Sequence, residues 1–141
     1  MHSNSIRIVS WQGEAPALRL IRETVFILEQ HVPEELEWDA FDDVSVHVLA
    51  LSPDEKPIGT ARLLPDGHIG RMAVLKEWRR MGFGSAMLQR LLDEAHIRGI
   101  KKVILNAQTT AIRFYERFGF QPVGEEFMDA GIPHVKMTLS L

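Results

Sequence analysis

Val74-Leu75-Lys76-Glu77-Trp78-Arg79-Arg80-Met81-Gly82-Phe83-Gly84-Ser85 decides how this 141-residue chain is read. The stretch joins an apolar, strand-like run to a long amphipathic helix through a basic turn containing two glycines. The first turn of a helix has backbone N–H groups without intrahelical partners and carries the positive end of the helix dipole, so it is a ready anion site. Gly82 and Gly84 let a bulky anion approach the main chain, and Arg79 and Arg80 add charge at the rim. With Met81, Phe83 and Ser85 they form a candidate phosphate cradle.

Two other anion loops fail on spacing. A dinucleotide fingerprint needs G-x-G-x-x-G directly off a strand, whereas seven residues, Leu75 to Met81, follow Val74 here and Met87 stands at the third glycine position. A P-loop needs a Gly-Lys pair, and the sequence has none.

Phe83 to Arg98 places Met87, Leu88, Leu91, Leu92 and Ala95 on one helical face against Gln89, Arg90, Asp93, Glu94 and Arg98, with Gly99 as the stop. Upstream, Val46–Leu51, Ile58–Leu64 and Ile69–Val74 are strand-like runs separated by strong turn signals and predict an antiparallel meander. Downstream come a buried strand at Val103–Ala107, a helix over about Thr110–Phe118 ended by Gly119, and last strands at Phe120–Val123 and Val135–Leu139. Strand, helix, strand between residues 69 and 107 is a crossover, so those two strands should be parallel. A first strand at Ile6–Val9 and a helix from about Ala15 to His31, stopped by Pro33, precede all of this. Trp38 and Phe41 should anchor the acidic loop that follows. The expected architecture is α/β (α+β): a mixed, mainly antiparallel sheet with helices on both faces, in one domain spanning residues 1–141.

Composition excludes several classes. A formal charge of −3 gives no global basic field, so no nucleic-acid partner is expected. Cysteine is absent, which removes disulfides, thiolate metal sites and an enzyme-bound thioester. No apolar run approaches the roughly 20 residues of a membrane span, and the first residues lack a signal-peptide core, so the expected setting is cytoplasmic without membrane association. No histidine pair has ligand spacing, so no catalytic metal is expected. His2, His31, His68 and His96 read as surface positions, and nothing selects between a monomer and a homodimer.

A second motif follows the crossover: Gln108-Thr109-Thr110-Ala111-Ile112-Arg113-Phe114-Tyr115-Glu116-Arg117-Phe118-Gly119-Phe120. Together with Arg79-x-x-Gly82-x-Gly84, about 24 residues earlier, it resembles the paired signatures of the GNAT superfamily of N-acyltransferases. The Val25–Pro33 stretch and the late Gly131–Met137 stretch resemble the small bacterial ElaA-like branch. The resemblance implies an acyl-CoA donor, with acetyl-CoA as the expected one, whose diphosphate lies on Arg79–Ser85. Its pantetheine arm would pair with the main chain of Met72, Ala73 and Val74 and lie near Ala111 and Phe114. Gln108 stands where many relatives have Asn, so its contact to that arm is open. The resemblance further implies that Tyr115, the single tyrosine, donates a proton to the leaving sulfur, and that a backbone N–H near Ala73 or Val74 holds the oxyanion.

For the base, Glu29 at the C-terminal end of the first helix is one candidate, because a carboxylate there gains nothing from the helix dipole. His134, set among apolar residues, is the other, and His47 is weaker. Glu29, Glu34, Glu35, Glu37, Asp39, Asp42 and Asp43 lie in a segment without Lys or Arg, which would draw a cationic amine toward the cleft or simply solvate a loop. The leading expectation is direct transfer of an acetyl group to a primary amine of a small molecule or peptide. The other reading is a CoA-binding sensor without turnover.

Overall fold

A computed structural model describes residues 5–141. His2 lies outside them. The seven strands are β1 (Ile6–Val9), β2 (Val46–Leu51), β3 (Pro57–Leu63), β4 (His68–Val74), β5 (Lys102–Gln108), β6 (Gln121–Asp129) and β7 (Ile132–Ser140). They form one sheet in the order β1-β2-β3-β4-β5-β7-β6. Every pairing is antiparallel except that of β4 with β5, as the crossover required.

The helices are α1 (Trp11–Arg22), the short α2 (Glu34–Glu37), α3 (Phe83–Ile97) and the short α4 (Ile112–Glu116). Strand alternation along β2 shows that they cover both faces of the sheet. Val48 and Ala50 pack into the larger core with Met87, Leu88 and Leu91 of α3, whereas Leu49 and Leu51 pack with Leu18 and Ile21 of α1. Truncating any of these fully buried α3 side chains to Ala would cost about 2–5 kcal/mol. No helix among the described residues is long and apolar enough to cross a membrane.

Three elements depart from expectation. The first helix starts at Trp11, where the Ser10 hydroxyl accepts from the Gly13 N–H at 3.1 Å. After Arg22 it widens into a π-helix over Glu23–Glu29, with the Gln30 N–H reaching back to the Val25 carbonyl at 3.0 Å. It ends before Pro33, as the chain turns through His31 with φ 61°, and Pro33 instead opens α2. The second expected helix is reduced to Ile112–Glu116 after one 3₁₀ turn at Thr109–Ala111. The final hairpin is longer than read: every residue of β6 is exposed, so no apolar alternation marked it.

Two features shape the gap beside β4. Pairing with β5 is confined to His68–Ile104 and Ile69–Leu105, so the strands part from Gly70 onward. The apex of this V is pinned by the Pro65-Asp66-Gly67 turn, whose Gly67 carbonyl accepts from the Ile104 N–H at 3.0 Å. Gly67 has φ 101°, and a Cβ there would stand 2.4 Å from the Lys102 carbonyl oxygen, so only glycine fits. On its other side β4 carries a bulge: Thr60 pairs with Ala73 but Arg62 with Gly70, and Arg71 within it adopts φ 52°.

Candidate active site

The V opens into a cleft of about 670 Å³ that runs along β4, from Leu64 and His68 near its start to Arg79 beyond its end. Met72, Ala73, Val74 and Arg79 line it from the β4 side, and Gln108, Ala111, Phe114 and Tyr115 from the β5 and α4 side. His134 on β7 lines it as well. Nine of the expected residues, from four separate segments, therefore meet at one opening.

The main chain of β4 provides a donor there. The Leu75 N–H bonds the Ile58 carbonyl of β3 at 2.9 Å. Successive residues of a strand point their N–H groups to opposite sides. Hence the Val74 N–H is directed away from β3 into the gap, and Val74 suits an oxyanion better than Ala73.

The cradle lies at the same end. Gly82 takes φ 88° at the N-cap of α3 and provides no side chain to cap the first turn. Arg80 has φ 63° and is exposed, as are Met81 and Ser85. The Phe83 side chain is buried against Trp78, with ring centroids 6.1 Å apart, so only its main chain belongs to the cradle. A Cβ added at Gly84 would stand 3.6 Å from the Phe114 ring, an ordinary contact, so the protein itself does not require glycine there. Glycine at that position instead leaves the cradle open toward the cleft beside Phe114.

Tyr115 is held edge-on between Phe114 and Phe120, at 5.1 and 5.9 Å, and its hydroxyl points to the Met72 sulfur at 3.9 Å. Burial pushes the phenol up to about 12, so it keeps its proton throughout the neutral range.

Glu29 stands at the C-terminal end of the first helix, as expected, but its carboxylate is engaged by Arg79. Its carboxylate accepts two hydrogen bonds from Arg79, both at 2.6 Å, and the Arg79 Nε–H donates to the Val74 carbonyl at 2.8 Å. The hydrogen bonds from Arg79 hold the Glu29 carboxyl below its usual range, which does not suit a base. Glu29 is absent from the cleft lining and clamps the arginine of the cradle. Its neighbour Gln30, which the sequence did not single out, accepts from the Gln108 amide at 3.1 Å. The end of the π-helix thus touches both arms of the V.

His134 is buried, stacks on Phe127 at 6.0 Å, and makes a 2.7 Å hydrogen bond between Nδ1 and the Ile132 carbonyl. A carbonyl only accepts, so Nδ1 carries the proton and Nε2 of the neutral ring keeps its lone pair. His47 is structural: its Nε2 bonds the Asp42 carbonyl at 2.9 Å and its ring lies 5.4 Å from Trp11.

The acidic segment is largely neutralised from elsewhere in the chain. Arg22, 1% exposed, donates to Glu37 and Asp42 at 2.7 Å each. Arg62 donates to Asp39 and Asp42 at 2.7 and 2.8 Å, and Arg71 lies 3.2 Å from Glu37 and 3.3 Å from Asp39. Trp38 and Trp11 cover the Arg22 guanidinium at 5.0 and 5.4 Å. Trp38 thus anchors the loop as expected, whereas Phe41 is 53% exposed. Burial alone would raise Asp42, but the hydrogen bonds and charges of Arg22 and Arg62 more than offset it and lower its carboxyl. Hydrogen bonding from Arg62 likewise lowers Asp39, whereas desolvation wins at Glu37 and raises it. Among the described residues no group of three or more His, Cys, Asp or Glu could hold a metal ion.

The sequence matches the acetyltransferase (GNAT) domain family over residues 11–141. It is 41% identical over 121 residues to the uncharacterized N-acetyltransferase YjcF of Bacillus subtilis, covering 83% of this chain and 86% of that protein. It is 33% identical over 130 residues to ElaA of Escherichia coli, covering 86% and 84%. A crystal structure of an acyl-CoA N-acyltransferase from Pseudomonas aeruginosa superposes with a TM-score of 0.85 at 29% identity, covering 94% of this chain and 97% of that one. The fold is thus a known one, and the chain belongs to the GNAT acetyltransferase family, with ElaA among its relatives.

Proposed function

We propose that the chain acts as one unit that transfers an acetyl group from acetyl-CoA directly to a primary amine of a small molecule or peptide, in a ternary complex. The observation that carries this reading is that Val74 and Tyr115 line one cleft while the start of α3 lies just behind its Phe114 wall, at Gly84. The residues present fit an acyl-CoA: β4 has an edge unpaired with β5 beyond Ile69, and the α3 N-terminus receives no side-chain cap from Gly82. When bound, the donor supplies an acyl carbon activated as a thioester.

Each protein group then has one task. The Val74 N–H stabilises the negative charge that develops on the acyl oxygen as the amine nitrogen bonds to the acyl carbon. His134 Nε2 takes the proton that the amine gives up, directly or through water. As the carbon–sulfur bond breaks, Tyr115 passes its proton to the sulfur, which leaves as the thiol, and the phenol is restored from solvent. Arg79, held by Glu29, sets the position of the cradle. Freedom from cysteine fits direct transfer, since no thiol is present to carry the acyl group.

The test is amine-dependent thiol release from acetyl-CoA, read together with the mass of the amine product. An acetylated amine supports the reading. A chain that is stabilised by CoA yet releases no thiol with any amine would instead be a CoA sensor.

A further inference from the structure

We propose that the acceptor half of the cleft takes a primary monoamine with an apolar body, and not a polyamine or other polycation. This deepens the acyltransfer reading and rests on it.

The first observation is charge. The carboxylates that made the segment 29–43 look like a cationic-amine funnel are largely engaged within the protein. Glu37, Asp39 and Asp42 face Arg22, Arg62 and Arg71, and Glu29 is clamped to Arg79. Asp43 accepts from Gln12 at 3.3 Å. Glu34, Glu35 and Asp43 do not line the cleft. Its lining holds three carboxylates, Glu37, Asp39 and Asp129, against three guanidiniums, Arg62, Arg71 and Arg79. Such a wall has no net formal charge, and among the described residues Asp129 is its one carboxylate without an arginine partner, so a polycation finds at most one countercharge there.

The second observation is shape and polarity. Away from Tyr115 and the cradle, the large apolar side chains that share the lining with those charges are Phe26, Val32, Leu36, Phe41, Leu64 and Ile132. Leu36 is 57% exposed and Phe41 53% exposed, and large apolar side chains left open around a cleft mark a site of apolar contact.

The third observation is rigidity. Arg71, on the β4 bulge, donates to the Leu36 carbonyl at 3.3 Å and to the Glu37 carbonyl at 3.1 Å. The Asp39 carboxylate accepts from the Phe41 N–H at 3.0 Å, and the Ser45 hydroxyl donates to the Phe41 carbonyl at 2.6 Å. The buried ion network therefore fixes the backbone beneath both apolar side chains. Charge in this segment builds the wall, and the open side chains that this segment presents beside the paired charges, Leu36 and Phe41, are apolar.

The experiment compares 2-phenylethylamine with spermidine, by acetylation rate and by the thermal shift that each adds in the presence of CoA. The shift reads binding even if turnover is absent, so failure of acyl transfer and failure of this inference are separable. Phenylethylamine should be the better acceptor by at least about tenfold in kcat/KM and should alone add a shift. Leu36→Ser and Phe41→Ser, both at exposed positions, should each lower its kcat/KM on the order of tenfold while leaving the KM for acetyl-CoA unchanged. Added salt should leave the phenylethylamine rate unaltered. A larger shift or faster turnover with spermidine, or a phenylethylamine response indifferent to both substitutions, would overturn the proposal.

Discussion

Asp42→Asn tests whether the acidic segment is architecture. In the wild type, Oδ1 of Asp42 accepts from Nη1 of both Arg22 and Arg62, at 2.7 and 2.8 Å, and Oδ2 lies 3.4 Å from Nη2 of Arg22. Asparagine keeps the volume and one acceptor oxygen, but removes the charge and places an N–H donor against a guanidinium. Two buried arginines, 1% and 6% exposed, then share too little negative charge. Breaking such a pair costs about 3–5 kcal/mol. At roughly 4 °C per kcal/mol for a chain of this length, the midpoint should fall by about 12–20 °C. Glu34→Gln with Glu35→Gln, at exposed positions, should stay within about 1 kcal/mol. The loss should also depend on pH. Asp39 and Asp42 have folded-state values below their usual 3.8, so their stabilisation is present above about pH 4 and disappears as pH falls through the folded values. Glu37, raised by desolvation, contributes in the opposite sense and is most favourable at low pH. Thermal melts from pH 7 downward should therefore show the gap between wild type and Asp42→Asn closing below about pH 4. A gap under 1 kcal/mol at pH 7, or one independent of pH, would refute the structural role.

Four further outcomes follow from the site. Gly82→Asp or Gly84→Asp should abolish the stabilisation by CoA, seen as loss of the thermal shift, because each puts a carboxylate into the cradle. Tyr115→Phe should lower turnover on the order of 10²-fold with little change in CoA affinity, and with the phenol near 12 the wild-type rate should show no alkaline fall from this group below about pH 10. Glu29→Gln should raise the KM for acetyl-CoA, since it loosens Arg79, and retain most of the turnover; a large loss of turnover confined to low pH would return Glu29 to the role of base. His134→Gln should lower turnover while leaving the stabilisation by CoA unchanged, and full turnover in that variant would place the proton acceptor elsewhere.

The parts of this molecule that the sequence disclosed are those whose cause is local. Gly82 at the start of α3, the helical spacing of Met87, Leu88, Leu91 and Leu92, and the Pro65-Asp66-Gly67 turn each specify their neighbours. The crossover between β4 and β5 followed from order alone. What stayed hidden depends on partners far along the chain: Arg22 reaches Glu37 across 15 residues, Arg62 reaches Asp39 across 23, and Arg71 reaches Asp39 across 32. A signal was present in Arg62, the one charge inside the otherwise uncharged run from Ile58 to Leu63, and in Arg22, which shares the buried stripe of Leu18, Ile21 and Val25. Without those cations the acidic segment looked like a field directed at substrate. The widening of the first helix also left no mark, because the apolar spacing of Leu18, Ile21 and Val25 is the same whichever backbone bond closes the following turn. At the end of that helix Glu29 meets Arg79 across 50 residues and Gln30 meets Gln108 across 78, contacts that no local spacing announces.

Amide hydrogen exchange with and without CoA reports where the donor meets the main chain. Bound CoA should slow exchange of the Gly84 and Ser85 amides at the start of α3 and of the Val74 amide on the open edge of β4, and leave β1 and β6 unaffected. Protection that falls outside both segments while CoA still stabilises the fold would contradict this placement of the donor.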